Sequence, residues 1–445
     1  MRKIKLLLLI ALTLLLFIGR GALCEESALC LTLDEAVNTA LEENKTLDNV
    51  KKSISEAKLN YSATVKERYP KFSTGYSYMR LRNEFDLSYP DLGLTLPLMT
   101  KDNYFWNSSV SMPVYTGGIQ TLSEDIAKLG VDVAKMNLMQ ARGELVRQVK
   151  FYYFNVLRQK KLEDYLTQNA KSRLEHKRLS IQFNKEGLVA KNVVLCASAE
   201  EANSRQELYT ASRDVEVTKT ALQIAMGIGV DKPVSPKDEL TKREFPYSME
   251  DCMKYAGEHN PQLVAFVFLK QQAEKAIQIE KAHYIPKVNL SGNYLRYGTN
   301  SDLNGYPGLP NNILCGMLNF NWDIFDWGQK LDEAKIKEVK LQEVINEEKV
   351  TRDNLLLKIK EAYIRFESAE KSIDTAKAAL EYADENLRIV NLRFAQNIAP
   401  SSEVVDAVAI QKEAQYNYCS ALYSYNMAIA DLENLMGQDA EKTLE

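Results

Sequence analysis

The sequence predicts a membrane α+β fold built on an internal repeat, each repeat supplying two β-strands and one very long helical hairpin. Three observations carry this. First, a block of sequence is written twice: Leu33-Asp34-Glu35-Ala36, Asn44 and Tyr69-Pro70-Lys71 return 216 positions later as Met249-Glu250-Asp251-Cys252, Asn260 and Ile285-Pro286-Lys287. After a shorter insertion the offset becomes 210, so that Val114-Tyr115-Thr116-Gly117-Gly118 is answered by Ile324-Phe325-Asp326-Trp327-Gly328, and Ala225-Met226-Gly227 by Leu435-Met436-Gly437. Two copies of about half a chain imply a duplicated structural unit. Second, the segments following Tyr69-Pro70 and Ile285-Pro286 alternate apolar and polar residues, the period of a strand with two different faces. Third, no Pro or Gly interrupts Leu331 to Gln396; at 1.5 Å per residue that run spans ~100 Å, far more than a globular domain needs.

At the N-terminus, Arg2, Lys3 and Lys5 precede an apolar run from Leu6 to Ile18, and Ala22-Leu23-Cys24 offers small residues at a secretory cleavage site. Residues 1–24 read as a signal peptide. The run is shorter than the ~20 residues of a spanning helix, which weighs against a retained anchor, and bulky Leu23 weighs against lipidation at Cys24. Loss of the four basic residues in 1–24 takes the net charge from -4 to -8, which gives no reason to expect a nucleic-acid partner. Cys30, Cys196, Cys252, Cys315 and Cys419 then remain, scattered singly and odd in number, with neither a disulfide framework nor metal-ligand spacing. No metal and no cofactor is expected.

Repeat 1 occupies 25–229, with short helices, strands at about 70–82 and 104–115 and a helical hairpin at about 119–226. A strip at 230–246 carrying Pro233, Pro236 and Pro246 is a linker. Repeat 2 occupies 247–437, with short helices, strands at about 286–297 and 312–325 and a hairpin at about 331–436, and 438–445 is a C-terminal tail.

Within the strands, Trp106, Val110, Met112 and Val114 share one parity and Asn107, Ser109 and Ser111 the other; Leu314, Leu318, Phe320 and Trp322 alternate with Asn319, Asn321 and Asp323. One face suits lipid and the other water. A half-buried sheet in a soluble domain gives the same alternation. Because no later run approaches membrane-spanning length, entry into a membrane requires a β-barrel. Trp106, Val110, Leu318, Phe320 and Trp322 are its candidate lipid-facing residues. The loops Leu81 to Asn103 and Gly298 to Asn312 are polar and rich in Gly, Pro and Asn.

In the second long helix Ile359, Phe366, Ile373, Leu380, Leu387 and Phe394 recur every seven residues, and Ala362, Ala369, Ala376, Ala383 and Val390 follow three later. Such a repeat marks a left-handed coiled-coil seam, with alanines allowing close approach. Repeat 1 has a more polar seam through Asn169, Ser172, His176, Leu179 and Phe183.

The duplication, the Tyr-Pro-Lys and Ile-Pro-Lys strand starts, the Gly-Gly and Trp-Gly strand ends, and the turns Phe183-Asn184-Lys185-Glu186-Gly187-Leu188 and Phe394-Ala395-Gln396-Asn397-Ile398 together resemble the TolC-like outer-membrane efflux family over nearly all of the chain. The resemblance implies a homotrimer in which each chain gives four strands to a 12-stranded transmembrane β-barrel, continued by a long α-helical coiled-coil barrel in the periplasm. It implies an outer-membrane location in contact with lipid, a periplasmic adaptor and, through it, an inner-membrane transporter, in a tripartite efflux or type I secretion system. It also implies that Gly187, Leu188, Asn397 and Ile398 form the tip that meets the adaptor, and that Glu403 and Asp406 ring the periplasmic gate. Val193 and Ala399 stand where the family often places an aspartate and an arginine, so an ionic latch is expected to be missing. The residues alone permit plainer readings: glycine and asparagine are ordinary helix ends, and acids favour a helix start. His176, His259 and His283 lie far apart and no nucleophile or phosphate-binding motif is present, so no enzyme activity is expected. The rival function is an exported coiled-coil scaffold of the envelope without a conduit.

Overall fold

The computed structural model describes residues 29–306 and 310–441, and the expected signal peptide at 1–24 lies outside them. The elements are β1 (Leu29–Leu31), α1 (Leu33–Glu43), α2 (Lys45–Lys66), β2 (Lys71–Arg80), β3 (Phe85–Tyr89), β4 (Leu94–Met99), β5 (Asp102–Tyr115), α3 (Ile119–Lys185), α4 (Lys191–Met226), β6 (Val234–Pro236), α5 (Met249–His259), α6 (Pro261–Ala282), β7 (Lys287–Gly298), β8 (Asn312–Asn321), α7 (Gln329–Ala395), α8 (Ser401–Met436) and α9 (Gln438–Glu441). Helices α3 and α7 each have 67 residues, and α4 and α8 each have 36.

Two compact units form, and each draws on both sequence copies. One comprises residues up to Thr46, Arg142–Met249 and Lys360–Asn434; the other comprises Leu47–Ala141, Glu250–Ile359 and the chain from Leu435. In the first unit Thr32 and Glu35 close a reciprocal capping box that starts α1. The 230–246 strip is fastened here rather than looping free. β6 pairs in parallel with β1, Leu29 facing Val234, and Asp238 Oδ2 accepts from Leu33 N at 2.9 Å and from the Tyr153 hydroxyl at 2.7 Å. The Tyr425 hydroxyl donates to Arg243 O at 2.8 Å and Asn426 Nδ2 to Thr241 O at 2.9 Å.

Two asparagines of the repeated block, Asn44 and Asn260, have a job in packing. Asn44 Nδ2 donates to Ala225 O at 2.9 Å in the first unit, and Asn260 Nδ2 to Leu435 O at 2.9 Å in the second. Each asparagine thus ties a short-helix junction to the end of a returning long helix, satisfying a carbonyl the helix leaves open. The glycines that follow, Gly227 and Gly437, take φ of 78° and 84°, and a Cβ on Gly227 would stand 2.7 Å from the Asn44 Cα. That close approach accounts for the recurring Met-Gly.

The second unit holds a four-stranded antiparallel sheet in the order β2-β5-β7-β8. β2 and β8 are its edges. The expected strand at 312–325 ends its ladder at Asn321, and the chain runs on without regular structure to Trp327, whose φ is 56°. The 81–103 segment, expected as a polar loop, contains the extra hairpin β3–β4 with Leu87 opposite Leu96.

Candidate functional site

Register decides which residues share a face of the sheet. Phe72 faces Val110, which faces Gly292, which faces Gly316; Tyr76 faces Trp106, and Leu290 faces Met112 on one side and Leu318 on the other. Even-numbered positions of all four strands therefore lie on one surface. It is apolar and outward: Phe72 is 82% exposed and Leu318 69%, with Trp106, Leu314 and Phe320 also exposed. Some of its polar members bond to one another, whereas Arg296, at the loop end, donates from Nε to Leu303 O at 3.3 Å. Trp106 Nε1 donates to Thr74 Oγ1 at 2.8 Å, and Thr74 Oγ1 meets Ser108 Oγ at 3.0 Å. Trp106 and Tyr294 stack edge to face at 6.4 Å. Val110 is half-buried on the same surface. Trp322, just beyond β8, donates from Nε1 to Tyr284 O at 3.0 Å. Val114 departs from the expected parity: the ladder steps from Pro113 opposite Asn289 to Tyr115 opposite Val288, so a bulge gives its place to Tyr115. Past the helix-proximal end of β8, Phe325 and Trp327 stack at 5.0 Å and are both largely exposed.

The odd-numbered surface carries Ser73, Ser77, Asn107, Ser109, Asn289, Ser291, Asn293 and Asn319. Ser73 and Ser109 hydroxyls meet at 2.7 Å and Asn319 Nδ2 reaches Ser291 Oγ at 3.4 Å. Toward the loop end the polarity gives way to Phe105, Leu295, Tyr297 and Ile313.

Of the seam positions, Ile359, Phe366, Ile373, Leu387 and Phe394 are buried, as are Ala362, Ala369, Ala383 and Val390. Leu380, between them, is half-buried. Phe366 sits in an aromatic nest with Phe245 at 5.3 Å and Tyr425 at 5.2 Å.

Both interhelical turns fall at one end of the first unit. Phe183 and Phe394 rings meet at 5.8 Å within an apolar cluster that also contains Leu387, Val390, Ala399, Val404, Ala407 and Val408. The turns share one backbone solution. Gly187 and Asn397 take φ of 75° and 57°, and the next amides reach back five residues, Leu188 N to Phe183 O at 2.8 Å and Ile398 N to Arg393 O at 2.8 Å, the bond that closes a Schellman motif. Leu188 is 51% exposed and Ile398 62%. Ala399 is buried in the cluster, where an arginine would need an ionic partner within apolar surroundings.

Glu403 and Asp406 lie one turn apart at the start of α8, and the structure gives them different company. Glu403 Oε2 receives Arg393 Nη1 at 3.1 Å, an ion pair across the turn that sequence spacing did not reveal. Asp406 is exposed. The polar residues that α3 buries include Asn169, Arg173, His176 and Ser180. His176 Nε2 meets Ser401 Oγ at 3.2 Å and its ring lies 4.5 Å from Phe394. Burial, reinforced by Arg173, pushes the His176 pKa down to about 4, so the ring is neutral at neutral pH. Arg173 pairs with Glu200 at 3.4 Å. Among the described residues no cluster suited to a metal ion occurs, and no helix is long and apolar enough to cross a membrane.

The model of the outer membrane efflux protein family matches this chain twice, over residues 36–228 and 253–438. The chain belongs to that family. Solved structures share the fold: VceC, an outer membrane protein from Vibrio cholerae, aligns at TM-score 0.73 with 17% identity over 91% of this chain and 96% of that one. A membrane protein from Pseudomonas aeruginosa aligns at 0.76 with 17% identity over 94% and 95%, and the CmeC outer membrane channel of Campylobacter jejuni at 0.74 with 17% identity over 92% and 86%. No curated protein sequence matches significantly. As an outer membrane efflux protein, the chain resides in the outer membrane with a periplasmic helical extension and serves as an exit duct of an efflux pump. A scaffold without a conduit finds no support in these matches.

Proposed function

We propose that three copies of this chain close a twelve-stranded barrel with the even-numbered surface toward lipid and the odd-numbered surface lining a water-filled duct, and that twelve long helical segments enclose the periplasmic part of the passage. The observation that carries this reading is the four-stranded sheet with two open edges and one apolar face. Unpaired strand edges cannot stand in hydrocarbon, where each open N–H or C=O costs several kcal/mol, so the edges β2 and β8 require neighbours of the same kind. Trp106, Val110, Leu318 and Phe320 then meet lipid, and Trp322, Phe325 and Trp327 lie where an interfacial aromatic girdle belongs. Substrate passes from an inner-membrane transporter through an adaptor, and the duct itself supplies no energy.

The two turns form the adaptor-docking tip. Gly187 and Asn397 shape them, and Leu188 and Ile398 present apolar side chains that water alone does not explain. Nearby, Glu403 and Asp406 of three chains bring six carboxylates to the periplasmic gate. Arg393 partly offsets Glu403, which leaves Asp406 as the main source of cation attraction. The buried seam from Ile359 to Phe394 holds the helices in register. Unheated and heated electrophoresis of the detergent-purified protein tests the assembly: a trimer band that collapses to the protomer on heating is expected, and a soluble monomer contradicts the reading.

A further inference from the structure

After β7 the chain from 299 to 306 does not stand away from the sheet; it folds back over it. Gly305 bridges to Gly298, with Gly305 N donating to Tyr297 O at 2.9 Å, and the Leu303–Asn304 backbone crosses Gly298 so closely that a Cβ there would meet Asn304 N at 2.6 Å. The crossing delivers Tyr306 to the odd-numbered surface. There its hydroxyl bonds to Asn103 Oδ1 and its ring packs on Tyr297 at 5.4 Å. Asn103 is fully buried and Tyr306 is nearly so, and Asn103 Nδ2 is tied to Thr100 O. Tyr306 thus reaches over β7 to β5 at the sheet end remote from the helices. This is also the end at which Phe105, Leu295, Tyr297 and Ile313 replace the serines and asparagines of that surface.

We propose that Tyr306, anchored on Asn103 and Tyr297, is a specificity-determining residue that narrows the outer mouth of the duct and limits the size of what leaves. The inference rests on the reading that the odd-numbered surface lines the lumen. With three chains, three such rings stand around the axis inside an apolar collar, and a collar of that kind resists hydrated bulk while passing slender or flat organic solutes. A buried hydrogen bond and a tilted ring contact hold Tyr306 itself, and a backbone bridge holds Gly305 beside it, so Tyr306 narrows the mouth without needing a closing motion.

Cys315 supplies the reporter. It lies on the odd-numbered surface of β8 opposite Asn293, three residues inward from Asn312, roughly 10 Å below the strand end. In a Cys30→Ser, Cys196→Ser background the remaining described cysteines, Cys252 and Cys419, are buried. A small cationic methanethiosulfonate and a maleimide carried on a bulky polyethylene glycol are added outside intact cells, with Cys315→Ser as the blank. The small reagent should label Cys315 equally in the background protein and in Tyr306→Ala, whereas the polymer reagent should label Tyr306→Ala at least several-fold faster. Asn103→Ala and Tyr306→Phe, which loosen the anchor and keep a ring, should fall between. They carry the test if Tyr306→Ala fails to give heat-dissociable trimers. No labelling by the small reagent overturns the lumen reading itself. Labelling by the small reagent with equal polymer rates in the background protein and the variants, zero included, overturns the constriction alone.

Discussion

Acidification should weaken the helical end of this protein through one side chain. His176 is 4% exposed, and its pKa is pushed from an ordinary 6.5 down to about 4 by burial and then by Arg173. The folded state therefore binds the proton less well than the unfolded state, and stability falls as pH drops below about 6.5, the loss being complete only below about 4. The linkage relation gives a penalty of about 2 kcal/mol per protomer on going from pH 7 to pH 5. The assay is denaturant unfolding in detergent, followed by helix content, at pH 7 and pH 5, on the intact protein and on His176→Gln. Gln keeps a partner for Ser401 and cannot titrate, so the difference between the two pH losses removes every other group. The loss should be larger in the intact protein by about 2 kcal/mol. Equal losses refute the reasoning and would mean that His176 is wetter than its burial states.

Phe366→Ala should cost about 3–5 kcal/mol, because it empties an aromatic nest, whereas Leu380→Ala at a half-buried position should cost clearly less; denaturant midpoints of the two variants check the order. Leu188→Asp should leave trimers in the outer membrane and abolish efflux, because a charge must then be desolvated in the adaptor contact; efflux at the normal level removes the turn from the interface. Asp406→Asn should reduce cation selectivity and block by divalent cations more than Glu403→Gln does, since Arg393 already offsets Glu403; bilayer recordings with equal effects, or none, argue against the gate charge.

The long helices were legible because heptads and the lack of Pro and Gly leave few alternatives. Strand faces were legible from parity alone, up to the bulge that skips Val114. What stayed hidden depends on contacts between distant segments. Arg393 and Glu403 stand ten positions apart and meet only because the turn at Asn397 folds one helix onto the other. His176 reads as one polar seam residue among several, and only its 3.2 Å approach to Ser401, 225 positions away, puts it at the start of α8. Asn44 and Asn260 stand in the sequence only as matched positions of a repeated block, whereas in the fold their side-chain amides fasten the returning helices. The β3–β4 hairpin was masked by prolines and glycines that the turn chemistry of a loop would equally require.

Whether the odd-numbered surface of the sheet lines a conducting duct can be read in a single kind of recording. Purified protein of the Cys30→Ser, Cys196→Ser background in a planar bilayer should give discrete conductance steps, and a small charged methanethiosulfonate should reduce them through Cys315, while channels that also carry Cys315→Ser stay unaffected. Absence of steps, or steps that persist unchanged with Cys315 fully modified, would contradict a lumen lined by that face.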